Sequence, residues 1–257
     1  MPELSADHLQ AMLPFLAIGF FAQLVDGALG MAFGVITNTL LVSVLGVPPA
    51  RASASVHLVE TFTTAASAIS HIFHRNVNWR LFLRLVIPGT IGGVAGAYWL
   101  SNLDAEAARP FVMTYLALIG VYLLWRAWKM NHHAHKPAKI VEPLGLVGGF
   151  LDAAGGGGWG PVVTSNLLVQ GVEPRQTIGT VNTAEFVLTT VISATFIKTI
   201  GLQAFTIAAV GLIIGGLFAA PFGAVLAKRI PARRLLFLVG TVLTITSAYS
   251  LYRVISG

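Results

Sequence analysis

Four acidic residues stand where acids are costly. Asp26 is the one charged residue between Ala11 and Pro49, Asp152 lies in the apolar run 144–171, and Glu60 and Glu185 lie in the runs 52–71 and 176–197. An ionisable group at membrane depth costs several kcal/mol and marks a functional position by default. Carboxyl groups out of water are the ones that take up and release protons there. Glu60 and Glu185 are therefore candidates for coupling, followed by Asp26 and Asp152. The same acids would serve structure if protonated, hydrogen-bonded or paired with Arg51 or Arg175. His57 precedes Glu60 by one helical turn and shares its face. Asn182 stands at the same offset before Glu185. His57 is either satisfied by a neighbouring helix or serves as a proton relay or substrate contact, and Asn182 is a plain hydrogen-bonder in the same place.

The two aspartates each open a glycine-rich stretch. Asp152-Ala-Ala-Gly-Gly-Gly-Gly-Trp-Gly-Pro161 has a looser echo in Asp26-Gly-Ala-Leu-Gly-Met-Ala-Phe-Gly34, 126 residues earlier. Glycine in a helix interior costs about 1 kcal/mol relative to alanine, so these stretches read as helix breaks. Broken helices occur in membranes where backbone lines a polar cavity. A hairpin tip of this kind would present backbone N–H groups and a helix N-terminus, which bind anions without a formal positive charge. Gly30 and Gly34 in one break, and Gly156, Gly157, Gly158 and Trp159 in the other, are the candidate contacts. Thr37, Asn38 and Thr39, and Thr164, Ser165 and Asn166, fall just beyond, where they would line the same site. Pro161 suits the first turn of the helix that follows. Close helix packing through small residues is the competing explanation. A dinucleotide-binding loop is excluded by context, since no strand precedes the glycines and no βαβ unit surrounds them.

These breaks need elements to hold them, and composition names the class. Of 257 residues, 55% are hydrophobic and 10% charged, against about 25% charged in a soluble domain; mean hydropathy is +0.78. The runs 85–103, 110–125, 199–227 and 235–252 carry no charge, and about 20 apolar residues cross a bilayer as helix. The chain reads as an all-α polytopic membrane protein. The first apolar unit, 11–49, is too long for one crossing and predicts a hairpin of short or half-length helices. A basic loop is expected at 74–84 and an acidic one at 104–109.

The second half repeats the first. Gly46-Val-Pro-Pro49 aligns with Gly171-Val-Glu-Pro174, Val56-His-Leu-Val-Glu60 with Val181-Asn-Thr-Ala-Glu185, and Ile91-Gly-Gly93 with Ile214-Gly-Gly216. Tyr122-Leu-Leu-Trp-Arg126 aligns with Tyr249-Ser-Leu-Tyr-Arg253. We read residues 1–257 as one transmembrane domain. Repeat 1 covers about 11–129, a cytoplasmic linker 126–142, and repeat 2 about 143–254. Each repeat of about 125 residues holds a glycine-broken hairpin and three transmembrane helices, eight to ten spans in all according to whether the hairpins re-enter or cross.

If each hairpin returns to its own side, the loops 74–84, 126–142, 171–176 and 227–234 share a side. They hold twelve of the sixteen Lys and Arg, and Arg51, Arg109, Lys198 and Arg253 lie opposite. The positive-inside rule puts the twelve in the cytoplasm and both termini outside. The halves then enter from opposite faces, an inverted repeat of the secondary-transporter kind.

Other chemistry is poorly supplied. The net charge of +6 is too scattered for nucleic acid. The absence of cysteine removes disulfides, thiol catalysis and Cys-based metal sites. No zinc-protease, nucleophile-elbow or P-loop motif is present, so no catalytic residue, metal ligand or cofactor is assigned. His132, His133 and His135 read as a solvated linker, His71 and His74 as interfacial, and Trp79, Trp125 and Trp128 as an aromatic belt. Residues 1–10 lack the basic start of a signal peptide.

At the glycine cluster and the two halves, the chain resembles the TauE/SafE family of sulfite and organosulfonate exporters. Gly155-Gly-Gly-Gly-Trp-Gly-Pro161 fits the Gly-rich motif followed by Pro. The first half departs from it, with single glycines and Val35 in place of the proline. The resemblance implies a permease of the bacterial cytoplasmic membrane that exports small sulfur-containing anions, sulfite or short sulfonates, driven by a proton or sodium gradient. Its partners would be the substrate, the coupling ion and the bilayer. A cation carrier using the four carboxylates, a non-transporting scaffold or sensor, and a channel remain alternatives. Exact substrate, transport direction and oligomeric state are open at this level.

Overall fold

The computed structural model describes residues 6–29, 31–129, 138–202, 207–229 and 232–256. Among the described residues the protein is all helix and turn, with no strand. The first half comprises α1 (Ala6–Leu29), α2 (Phe33–Ser43), α3 (Pro49–Phe73), α4 (Trp79–Ser101) and α5 (Ala105–Trp128). The second comprises α6 (Glu142–Gly155), a π turn (Gly160–Thr164) running into α7 (Ser165–Val169), α8 (Pro174–Ile200), α9 (Ile207–Arg229) and α10 (Ala232–Ser256). A broken hairpin followed by three long helices thus occurs twice.

Local chemistry explains the boundaries. Asn78 caps α4, its side chain accepting from the Leu81 N–H at 3.1 Å. Glu173 caps α8 through the N–H groups of Arg175 and Gln176. Pro49 and Pro174 each begin a helix at matching repeat positions, where the missing N–H costs nothing. The turns before them carry Gly46 (φ +68) and Gly171 (φ +92), an aligned pair in a backbone region that favours glycine. Two expected loops are shorter than the charge pattern suggests. Residues 79–84 and 105–109 are already helical, because charged residues at a helix end extend past the apolar run without breaking it.

α2 has 11 residues, about 16 Å of helix against a hydrocarbon layer about 30 Å thick. The π turn and α7 are as short. The hairpins therefore pair a first helix with a half-length second one, though α1, at 24 residues, is longer than the short helix expected of it. Among the described residues, Trp79–Ser101, Ala105–Trp128 and Arg175–Ile200 are long and apolar enough to cross a membrane.

The halves interlock. α1 lies along α9 and α6 along α4, so the first helix of each half packs on the fourth helix of the other. α3 faces α8, and α5 faces α10. The crossings depend on small residues, which let backbones approach where lipid gives no hydrophobic drive to association. A Cβ on Gly92 of α4 would strike the Leu146 carbonyl and reach within 2.9 Å of the Phe150 N. A Cβ on Gly215 of α9 would strike the Leu16 carbonyl and reach within 2.8 Å of the Phe20 N. Both glycines meet a carbonyl and the N–H one turn later on the opposing hairpin helix. Gly120 and Gly240 meet in the same way where α5 crosses α10.

Large apolar side chains cover the outside: Phe21, Phe62, Phe73, Ile87, Ile91, Leu118 and Phe218 are among those exposed. Trp79, Trp125 and Trp128 are exposed at helix ends. Outside the apolar zone, Arg84 forks onto Glu142 with both nitrogens, Nη2 to Oε2 at 3.0 Å. Hydrogen bonding from Arg84 pushes the Glu142 carboxyl down to about 2.

Candidate functional site

Each helix break is closed by its own aspartate. In the first, Asp26 Oδ1 accepts the Phe33 N–H at 3.1 Å. In the second, Asp152 Oδ1 accepts the Trp159 N–H at 2.8 Å. Both bonds span seven residues, and both ends are related by the 126-residue offset. The aspartates cap the helix that follows the break, satisfying a donor that would otherwise be unpaired in a dry setting.

α6 ends as helices in water often do. Gly156 sits at φ +72 and ψ +39, and both it and Gly157 donate to the Asp152 carbonyl, a Schellman-type closure. Gly157 continues at φ +132, and a Cβ there would strike Gly34 and Val35. In the first half the corresponding turn is made by Ala32 at φ +105, where the repeat has Gly158. Gly30 lies outside the described residues, as do His132, His133 and His135.

The tips of the two hairpins meet. Gly34 packs on Gly157, with room for no side chain between them, and Met31 packs on Gly160. These two contacts exchange under the repeat offset, 34 to 160 and 31 to 157. Tyr115 of α5 lies across the second tip, its hydroxyl donating to the Gly157 carbonyl at 3.0 Å. Asn38 Nδ2 donates to the Gly155 carbonyl at 2.8 Å, which ties α2 to the second break.

α3 holds both tips. His57 Nδ1 faces the Ser53 carbonyl at 2.7 Å and Nε2 faces Asp152 Oδ2 at 3.1 Å. A carbonyl only accepts, so Nδ1 carries the hydrogen toward Ser53, and Nε2 is left facing the Asp152 carboxyl. Ser53 Oγ donates to the Ala153 carbonyl at 2.7 Å. One turn further along α3, Glu60 lies against Gly34, its Oε1 2.9 Å from where a Cβ on that glycine would stand. Glu60 is 5% exposed, and its Oε2 has no hydrogen-bond partner. Glu185 on α8, Asp152 and Asp26 all lie within electrostatic reach of it. The four acids thus converge, although among the described residues no three His, Asp or Glu side chains form a group able to hold a metal ion.

Several predicted residues come together here: Gly34, Asn38, Gly156, Gly157, Gly158, His57, Glu60 and the two aspartates. Thr37 Oγ1, Asn38 Oδ1, Thr39 Oγ1 and Thr164 Oγ1 are buried without a partner. Such groups are rare in a finished interior and mark a place for water or ligand. Ser165 Oγ lies 3.9 Å from Met31 Sδ, and Glu185 is half-buried.

Others go elsewhere. Asn166 is exposed and bonds Gln170 Nε2 at 2.8 Å. The 126-residue offset aligns it with Leu40, and one residue of helix turns a side chain by about 100°. Asn182 donates to Ser67 Oγ at 3.1 Å and does not copy the role of His57. Trp159 is packed solid against Gly89 and Gly148, its Nε1 reaching the Val181 carbonyl at 3.3 Å. The acids do not pair with Arg51 or Arg175. Two of the tip N–H groups expected to face a polar cavity, those of Phe33 and Trp159, are already taken by carboxylates. Tyr115 and Ser53 join the site without having stood out in the sequence. Ser53 had a weak signal in its position one turn before His57, and Tyr115 had none.

Paired broken helices clasped by buried carboxylates inside an apolar helical shell define a polytopic membrane protein of the transporter type. The chain belongs to the sulfite exporter TauE/SafE family, whose model matches residues 15–250. Over 251 residues it is 40% identical to a probable membrane transporter protein, YtnM, of Bacillus subtilis (strain 168), covering 95% of this chain and 83% of the relative. No solved structure matches. The protein is an integral membrane protein and a membrane transporter of this family.

Proposed function

We propose that the protein is a secondary carrier of a small sulfur-containing anion, sulfite or a short organosulfonate, in the bacterial cytoplasmic membrane. The anion binds where the two hairpin tips meet, and export is coupled to an ion gradient. The observation that carries this reading is the pair of buried, unpartnered hydroxyls of Thr37 and Thr164, one just beyond each helix break. Hydroxyl donors suit an oxyanion with several acceptors and low charge density. The halves insert in inverted orientation, and the site becomes accessible to each side in turn as they rock about the tips. Glu60 and Glu185 are the coupling acids.

The test is transport by purified protein in liposomes. Sulfite or ethanesulfonate should accumulate against its gradient under an imposed proton or sodium gradient. A folded protein that moves neither anion under any gradient refutes the proposal. Both anions should also raise the thermal midpoint of the detergent-purified protein, since a ligand bound only by the folded state stabilises it.

A further inference from the structure

We infer that His57 and Asp152 form a proton-binding site: one proton, held between His57 Nε2 and Asp152 Oδ2, clamps the second helix break to α3, and its loss releases the break. The site does not depend on which solute the protein carries, and its proton is distinct from any that Glu60 or Glu185 exchanges.

The count of hydrogens follows from the donors at hand. The polar neighbours of His57 Nδ1 are both on Ser53, the carbonyl at 2.7 Å and Oγ at 3.3 Å. The Ser53 hydroxyl hydrogen goes to the Ala153 carbonyl at 2.7 Å. Nδ1 therefore carries hydrogen, and a neutral ring then leaves Nε2 as a bare acceptor. Asp152 Oδ2, 3.1 Å away, is an acceptor as well when ionised. His57 is 0% and Asp152 2% exposed. Two facing acceptors so far from bulk water have lost their solvation and gained no bond. One proton, on either atom, turns the contact into a hydrogen bond.

Nothing nearby supplies a positive charge in the proton's place. Glu60 stands one turn along α3, and Glu185 of α8 and Tyr115 of α5 lie within electrostatic reach of Asp152. Asp26 of α1 reaches the same group of acids. α2, the π turn and α7 contain no titratable residue. The lysines and arginines of α3, α4, α5, α8 and α9 lie near helix ends. The Phe196 ring of α8 packs beside the imidazole, 6.2 Å between centroids.

Asp152 is the residue that closes the second break. Its Oδ1 accepts the Trp159 N–H, and its carbonyl accepts from Gly156 and Gly157. Loss of the proton turns Oδ2 against Nε2 and leaves the Ser53–Ala153 bond alone to tie this closure to α3. The first break has no such site. Its aspartate, Asp26, accepts the Phe33 N–H, and the repeat counterpart of His57 is Asn182, an amide bonded to Ser67. Rising pH therefore loosens one hairpin of the transporter and not its repeat partner.

Above about pH 7 an unfolded chain holds no proton on a histidine and an aspartate. The folded pair carries one more, so stability falls as pH rises. In detergent-purified full-length protein the thermal midpoint should fall between about pH 7 and pH 9. The unfolding constant should rise more steeply than in Asp152→Asn, by up to about tenfold per pH unit. That variant puts an amide hydrogen in the proton's place, as does His57→Gln, and neither contains the acid–base pair. The other buried acids titrate in all three proteins and are common to the comparison. Ser165→Cys, in a chain without cysteine, reads the break itself, because position 165 follows the π turn and is fully buried. Its reaction with a maleimide should accelerate with pH more in the otherwise wild-type protein than with Asp152→Asn added, the thiol's own ionisation being common to both. A wild-type pH slope equal to that of the variants, or equal acceleration of the thiol, overturns the inference and leaves the transporter standing. Should neither variant fold, the wild-type midpoint decides alone, and one that does not fall over that range overturns the inference.

Discussion

Asp152 and Asp26 hold equivalent places in the two breaks but are not equally burdened. Asp26 accepts one backbone N–H, whereas Asp152 also pairs with the fully buried His57. Removing one partner of a buried charged pair costs about 3–5 kcal/mol, against about 1.5–3 kcal/mol for a single hydrogen bond to a charged group. Asp152→Ala should therefore lower the thermal midpoint more than Asp26→Ala. Asp152→Asn should recover most of the loss, because its amide still accepts from Trp159 and donates to neutral His57. Equal losses for the two alanine variants would show that the His57 pair contributes nothing. Outside the membrane, Glu142 titrates low because Arg84 bonds its charged form. A lowered carboxyl contributes stability above its unfolded value near 4.5 and loses it as pH falls through about 2. Since the pair is exposed, the contribution is small and weakens with salt. Arg84→Gln should bring the Glu142 titration, followed by NMR, back toward the ordinary range and leave the thermal midpoint nearly unchanged.

At the scale of elements, the helix crossings are set by where a side chain would collide. Gly215 abuts the α1 backbone. For its neighbour Gly216, the nearest atom to an added Cβ is on the Gln23 side chain, 3.8 Å away. Gly215→Ala should overpack the α1–α9 crossing and cost about 1–3 kcal/mol. Gly216→Ala should be neutral or stabilising by up to about 1 kcal/mol through helix propensity alone. Gly92→Ala, at the matching crossing of α4 on α6, should behave like Gly215→Ala. Thermal midpoints of the three variants check this, and a Gly215→Ala protein as stable as Gly216→Ala would sink it. The repeat alignment sets Gly92 and Gly93 opposite Gly215 and Gly216, yet it does not say which of each pair meets backbone. That depends on the rotation of each helix, which is set by its partner.

For the whole molecule, the uneven spread of positive residues makes a claim about sidedness. The chain contains no cysteine, so any single introduced cysteine reports alone. Lys139→Cys, on the linker side of the molecule, should react with an impermeant maleimide only after the inner face of the membrane is opened. Asp104→Cys, between α4 and α5, should react on intact cells. The opposite pattern would invert the predicted topology.

The sequence by itself determined the environment, the all-helical class, the twofold repetition and the position of both breaks, because hydropathy, glycine runs and internal alignment are properties of local composition. It also singled out the four acids, since charge in an apolar run is conspicuous wherever the run ends up. Only the tertiary structure decided what those acids do. It gave Asp26 and Asp152 to the Phe33 and Trp159 N–H groups and His57 to Asp152, and it set Glu60 against Gly34. It turned Asn166 outward and laid Tyr115 across the second tip. Those assignments join residues as far apart as 95 positions. In a dry interior each donor goes to whichever acceptor the packing of distant helices brings within about 3 Å.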